Sequence, residues 1–513
     1  MSTALPEIER DVLDGPEAGS TAVRSSAMRS GGFAAGILLS LISVPLLIRH
    51  LGRDTYGVYV TITAVVTIVA GVSDVGITSV GVREWAVRDA RERRTLLSNL
   101  LGARLAMIAL GCCGAMAFGV VSGYDASRLE GLAVACGGLF VLASYEALAV
   151  PLQAELRQGW IALAELARQS VQVALIVTLV AVGAGLVPLL ATAIPAGLAA
   201  VALTVRASRQ ALVRPAIHPR AWWSLVHDTL LFAMASALSV VYLRTTMILT
   251  SLIASSAQTG YFAPAFRMME VLIGVPVLLL GGLLPVLARA AATDRVRTRM
   301  ATARTFGGAL ACGALAAVCV AGAAPLAIQV LTGEQPAPTV DALTILGVGL
   351  GFSFLGAANQ FALLALHEHR AILTVNVVAL LTNATLTLLL VPAYGARGAG
   401  LALACSEATV AALSTLLLAQ SIRGFSPSRA LLLRIALATT LGAGAAFAFR
   451  SLGALPELAG TALVAVGAAI VLGTLPQELW TLAPSWLRPR SMRALARPST
   501  EPSADSPPGR GGQ

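Results

Sequence analysis

The sequence predicts an all-α polytopic membrane protein: about fourteen transmembrane helices, arranged as two six-helix lobes plus two extra helices. Three observations carry this prediction. Of the 513 residues, 57% are hydrophobic and 12% charged, with a mean hydropathy of +0.80, more apolar surface than a water-soluble chain of this size needs. Apolar runs of about 20 residues recur along nearly the whole length, each long enough as a helix to cross ~30 Å of hydrocarbon. The runs are continuous rather than alternating, so they read as helices, which satisfy their own backbone polar groups inside lipid.

Taken in order, the elements begin with residues 1–28, a polar stretch carrying Glu7, Glu9, Asp11, Asp14 and Glu17 ahead of any apolar run. It reads as a disordered cytoplasmic tail and not as a cleavable leader. Spans follow near 31–48, 57–79, 97–121, 130–151, 161–183 and 186–205, forming an N-terminal lobe over 29–205. A linker over 206–228 contains RPAIHPRAWW. Six further spans near 229–253, 261–287, 305–330, 341–365, 371–391 and 397–420 make a second lobe over 229–420. Two additional spans, 431–449 and 459–480, occupy 421–487, and residues 488–513, rich in Pro, Ser, Gly and Arg, read as a second disordered tail.

An even number of spans puts both termini on one side, and arginine decides which. All 36 basic residues are arginine, and most fall in the tails and even-numbered joints: the group Arg83 to Arg94, then Arg157 and Arg168, then Arg206 to Arg220, then Arg289 to Arg304. The opposite joints hold only Arg49, Arg53, Arg128, Arg397 and Arg450. The positive-inside rule therefore makes both termini cytoplasmic. Arg104, Arg244 and Arg267 remain, all inside spans.

DTYGVYV at the start of span 2 resembles AQTGYFA at the start of span 8, setting Gly57 against Gly260, and at the same spacing the basic joint at Arg94 falls on that at Arg297. This weak repeat supports a division into two parallel bundles, an arrangement that builds a site between halves.

Composition excludes some chemistry. Without a lysine, no GxxxxGK[ST] phosphate loop can exist. The six cysteines all lie in apolar runs with no CxxC pair, so they read as packing residues. HEHR at 367–370 has two histidines but no third ligand set, so no metal and no other cofactor is expected. The glycine pairs in GVGLG and GARGAG lack a strand-to-helix context and read as close helix packing. Pro151, Pro188, Pro195, Pro264, Pro276 and Pro285 read as kinks or span ends.

The polar residues inside spans are the candidate site. A charge at bilayer depth costs ~2.5–3.5 kcal/mol on insertion scales, so it faces the protein interior or a watery cavity. Arg244 lies ~22 Å along span 7, past the midplane; it is either a buried or snorkelled ion-pair member or a cavity cation able to fork onto phosphate oxygens. Arg267 and Glu270, three apart in FRMMEV, either neutralise one another on one helix face or leave Arg267, near the outer end of span 8, to form a basic patch with Arg244. Arg104, in the cytoplasmic half of span 3, either meets a phosphate at headgroup level or snorkels. Glu146 deep in span 4, Asp74 in the outer half of span 2 and Glu407 in mid-span 12 are, with Glu270, candidates to load a coupling ion or to pair with the arginines. Asn376 and Asn383, seven apart on one face of span 11, either cement helices or bind sugar hydroxyls.

Longer stretches carry a resemblance. PLLIRHLGRDTYGVYV, VSDVGITSVGVREWA and TGYFAPAFRMMEVL with GGLLPVLARAA look like signatures of polysaccharide flippases of the Wzx type. The region from VLTGEQPAPTVDALTILGVGL to LALACSEATV, with N-x6-N before VPxxGxxGAG and SE, is similar to that family's spans 10 to 12. The resemblance covers roughly residues 31–450. It implies membership of the multidrug/oligosaccharidyl-lipid/polysaccharide exporter superfamily, two lobes alternately opening a central cavity, and a polyprenyl-diphosphate-linked oligosaccharide moved from the cytoplasmic to the outer leaflet. Other polysaccharide-assembly membrane proteins are the expected partners. The sequence departs from the family where many relatives carry an acid after the span-7 arginine and this chain has LRTTMIL. The rival readings are a cation-coupled exporter of small organic molecules and a non-transport membrane enzyme of the same pathway. The enzyme reading lacks the large outer loops and DxD motif it would need, so a non-enzyme is expected.

Overall fold

The computed structural model describes residues 18–472 except 75, 209–212, 217, 219–221, 223–229, 423, 425–428, 450 and 452. Among the described residues the chain is helical throughout, with no strand. The first helix, α1 (Ala18–Asp74), is broken at Gly52, whose φ of 73° falls in the region open to glycine at little cost, so it is two helical segments meeting at a sharp corner. The N-terminal helices continue as α2 (Ile77–Val87), α3 (Ala90–Val121), α4 (Ala126–Leu148), α5 (Val150–Ala154), α6 (Gln158–Ala181), α7 (Leu186–Ala191) and α8 (Ala193–Ser208). After the linker come α9 (Leu230–Ile253), α10 (Ser256–Gly281), α11 (Leu284–Thr293), α12 (Arg295–Thr332), α13 (Ala337–Ala365), α14 (His369–Tyr394) and α15 (Ala396–Ser421). The last pair is α16 (Arg429–Phe449) and α17 (Ala454–Val471).

Twelve of these helices are long and apolar enough to cross a membrane, with Ile42–Asp74 taken as one, and Leu455–Val471 is a shorter apolar helix. Dividing α1 at Gly52 and adding that last helix gives fourteen helical segments, against the fourteen spans expected from the sequence. Span ends moved where polar signals were weak. Helix begins at Ala18, inside the stretch read as tail, and the last helix is Ala454–Val471 rather than 459–480. The tail at 488–513 lies outside the described residues. Spans 2 and 8 stop early, at Asp74 and Gly281, and each hands over to a short helix, α2 or α11, before the next span. One short helix follows the second span and the other follows the eighth.

Helices α1, α3, α4, α6 and α8 pack on one another, as do α9, α10 and α12 to α15; α16 and α17 pair and lean on α12. The two groups meet where α1 runs against α9 and α10. The largest buried apolar cluster straddles that seam, with Val44, Tyr56 and Val60 meeting Phe262, Phe266 and Met269. In lipid no hydrophobic driving force separates helix from solvent, so close packing of small residues holds helices together. Gly313 of α12 and Gly351 of α13 approach backbone to backbone. The glycines of GVGLG therefore serve packing, as read from the sequence. The described part of the linker is strapped to α3. The Ala216 amide donates to Ser98 O at 3.0 Å, His218 Nδ1 sits 3.0 Å from Asn99 Oδ1, and Ala216 O lies so close over Gly102 that no side chain fits there.

Candidate functional site between the lobes

A cavity of about 440 Å³ opens along the seam, lined by α1, α6, α9 and α10, within the size range of small-molecule sites. From α1 come Ser43, Thr63, Thr67 and the rings of Tyr56 and Tyr59, stacked at 6.1 Å between centroids. From α6 come Glu165, Arg168, Gln169 and Gln172; α9 gives Arg244, and α10 gives Arg267 and Glu270. Periodicity explains the convergence: Glu165, Arg168 and Gln172 stand at i, i+3 and i+7, one face of a helix otherwise apolar, and Arg267 and Glu270 repeat the three-residue step.

The charges are organised in two units, one on each helix group. On α9 and α10, Glu270 bridges two cations: Oε1 pairs with Arg244 Nη1, and Oε2 lies 3.1 Å from Arg267 Nη1. The Arg244 guanidinium also lies 5.8 Å from the Phe266 ring centroid, a cation–π contact that orients it. On α6, Glu165 forks Arg168, with Nε to Oε2 at 3.0 Å and Nη2 to Oε1 at 2.5 Å. Gln169 donates to Glu165 Oε1 at 3.1 Å, and Arg168 reaches Gln172 Oε1 at 3.3 Å. Three guanidinium groups and two carboxylates thus line one cavity well inside long apolar helices. Arg244 stands ~21 Å from the start of α9, and Arg267 ~17 Å from the start of α10.

Arg244 is ion-paired and at the same time lines the cavity, and Arg267 pairs with Glu270 within α10 while lining the same cavity. Arg267 lies near the middle of its helix rather than near its outer end. Six other candidates stand elsewhere. Arg104, 4% exposed, is buried between two acids of its own lobe, pairing through Nη1 with Asp74 and through Nη2 with Glu146. It does not line the cavity. Asp74, the last residue of α1 and held also by Thr78 Oγ1 at 2.8 Å, sits at the end of its span beside the arginine-rich joint, not in the opposite half; the chain direction of span 2 fixes this.

Asn376 and Asn383 are buried and spent on helix–helix bonds. Asn376 Nδ2 donates to Ala235 O at 2.8 Å and Asn383 Nδ2 to Tyr242 O at 2.7 Å, tying α14 to α9. Asn383 Oδ1 also accepts from Thr246 Oγ1 at 2.7 Å and Thr387 Oγ1 at 3.1 Å. Neither is among the residues that line the cavity. Glu407 is buried and accepts from Tyr242 Oη at 2.6 Å, again away from the cavity. Among the described residues no group of three His, Cys, Asp or Glu could hold a metal.

The sequence reading missed Arg168 and its neighbours by counting Arg168 with a surface joint. The signal was present: ELARQSVQ lies inside the apolar run 161–183 and places its polar residues on one helix face.

At the corner made by Gly52, the two lobes are closed on each other. Arg53 pairs with Glu334, donates to Tyr261 Oη at 3.1 Å and lies over that ring at 5.2 Å. Arg49 Nη2 donates to Val330 O at 2.8 Å. Gly57 and Gly260, matched in the sequence repeat, touch here: a Cβ on Gly57 would stand 3.2 Å from Gly260 N, and one on Gly260 2.8 Å from Arg53 O.

Several solved structures share this fold. A lipid II flippase, MurJ, in an inward closed conformation, superposes with a TM-score of 0.71 at 13% identity, covering 87% of this chain and 98% of its own. An inward-facing multidrug resistance MATE transporter of the MOP superfamily gives 0.56 at 14% identity, covering 81% and 97%. A MOP superfamily transporter from Pyrococcus furiosus, described by the reverse polarity of its binding pocket, gives 0.57 at 17% identity, covering 82% and 98%. No curated protein matches the sequence significantly. The fold is that of membrane transporters. The model of the polysaccharide biosynthesis protein family matches residues 24–291, more than half of the sequence, and the chain belongs to that family.

Proposed function

We propose that the protein flips a polyprenyl-diphosphate-linked oligosaccharide from the cytoplasmic to the outer leaflet of a bacterial inner membrane, for cell-surface polysaccharide synthesis, by alternating access and with both termini cytoplasmic. The observation that carries this reading is the inter-lobe cavity with Arg168, Arg244 and Arg267 well inside long apolar helices. Guanidinium groups bind phosphate oxygens in a charge-assisted fork, and three of them are retained where each is costly. The stacked tyrosines, glutamines and hydroxyls suit a sugar's apolar faces and hydroxyls. Membership of a polysaccharide biosynthesis family and the shared fold with a lipid II flippase support the same substrate class. Closure at the Arg53 corner suits a state loaded from the arginine-rich side. Asp74 and Glu146 around Arg104, Glu407 under Tyr242 and Glu270 in the cavity are the candidates for ion coupling.

A cation-coupled exporter of small organic molecules is the second reading, and the two carboxylates of the cavity are what favour it. The surplus of guanidinium groups weighs against a cationic cargo. In a strain dependent on this protein, Arg244→Ala is expected to abolish glycan export and to accumulate lipid-linked intermediates while the protein stays folded and inserted. Normal export by that variant would overturn the reading.

A further inference from the structure

Glu270 sits where an anionic ligand would. One carboxylate oxygen meets Arg244 and the other meets Arg267, so a single planar anion spans two guanidinium groups from different helices, as a phosphate bridging them would. The carboxylate is largely buried, at 11% side-chain exposure, on the wall of the cavity. On α6, Glu165 occupies both arms of the Arg168 fork in the same way. Each cation of the cavity therefore already has a partner carboxylate belonging to the protein.

We infer that Glu270, with Glu165 as its counterpart on the other lobe, is a built-in competitor that the substrate anion must displace, so that the cavity selects ligands carrying more than one negative charge. The inference rests on the diphosphate reading above and adds the element that sets its selectivity. A monoanion arriving at Arg244 and Arg267 exchanges one unit charge for another and leaves Glu270 stranded at a buried site, an exchange with no electrostatic gain. A diphosphate brings at least two charges and more acceptor oxygens, enough to hold both guanidinium groups after the carboxylate has swung into the cavity. Discrimination of this kind is built from a repulsive element as well as an attractive one. It also keeps the arginines paired between transport cycles, when no ligand neutralises them.

The test uses purified full-length protein in detergent and two probes, farnesyl diphosphate, which carries at least two charges at neutral pH, and the diester farnesyl methyl monophosphate, which carries one because a phosphate monoester would itself ionise twice. The wild type is expected to bind the diphosphate and to discriminate against the monophosphate. Glu270→Gln keeps the side-chain volume and removes the charge; it is expected to raise monophosphate affinity at least tenfold and diphosphate affinity by less, narrowing the preference. Glu165→Gln, at a more exposed site, is expected to shift the preference the same way by a smaller factor and serves if Glu270→Gln does not fold. A wild type that binds the diphosphate, together with a folded Glu270→Gln variant that binds both probes no better or more weakly, overturns the competitor role and leaves the carboxylate as a clamp holding its arginines. Failure of the wild type to bind the diphosphate, with no difference on Arg244→Ala, overturns the underlying diphosphate reading itself.

Discussion

Gly260→Ala offers the sharpest test of the closed corner. The added Cβ would stand 2.8 Å from Arg53 O and 2.9 Å from Arg53 C, closer than carbon and backbone atoms approach in folded proteins. The neighbour is backbone beside the Gly52 corner, so no side chain can swing aside, and relief requires α10 to move from α1 by ~0.5 Å. A gap of that size forfeits roughly a quarter or more of each dispersion contact across the seam, and overpacking of this kind costs ~1–3 kcal/mol. The Arg53–Glu334 pair, 38% and 66% exposed, offsets little, since surface pairs contribute about 0–1 kcal/mol. The closed arrangement should therefore lose roughly five- to 150-fold in population relative to one open at this corner. Thr61, 4% exposed and lining a small polar pocket at the seam, is the reporter. In detergent, Thr61→Cys should react with a polar maleimide faster in the Gly260→Ala background by a factor in that range. Gly57→Ala, whose nearest contact is 3.2 Å, should have a smaller effect. Equal labelling rates in all three backgrounds would refute the reasoning, and so would the opposite order of the two glycines.

Other expectations concern the candidate site and its supports. Asp74→Asn or Glu146→Gln alone should lower thermal stability by about 1 kcal/mol or less, because Arg104 keeps one carboxylate, whereas the double variant strands a buried guanidinium and should cost ~3–5 kcal/mol; additive effects in a double-mutant cycle would deny the shared pairing. Asn383→Ala leaves the Tyr242 carbonyl and two hydroxyls without their partner and should cost about 1–3 kcal/mol in a melting experiment, with farnesyl diphosphate affinity of the folded variant unchanged; loss of binding without loss of stability would return Asn383 to the substrate site. Arg168→Lys should weaken diphosphate binding severalfold, since a point charge replaces a fork held by Glu165, and an unchanged affinity would exclude Arg168 from ligand contact.

The residues themselves explain which parts of this molecule a linear reading reaches. Spans, their approximate ends and their number follow from runs of apolar residues, because lipid imposes a fixed helix length on any chain that crosses it. The break at Gly52, the match of Gly57 with Gly260 and the isolation of Arg244 and Arg267 inside spans are also local properties. Partnership is not local. Glu270 is three residues from Arg267 and so an obvious mate, yet its second cation, Arg244, comes from another helix, and only packing of α9 on α10 brings it there. Arg104 meets Asp74 and Glu146 across thirty and forty-two residues, which turns three separate candidates into one charge cluster outside the cavity. In sequence Asn376 and Asn383 look identical to substrate contacts and Glu407 to a coupling acid, and what α9 presents to them is what ties them instead to helix packing. Thus the hydrophobic thickness of the bilayer wrote the helices into the sequence, while the choice between a buried pair, a helix tie and a cavity-lining charge was left to the tertiary structure, since each depends on which side chains of other helices come within a few ångströms.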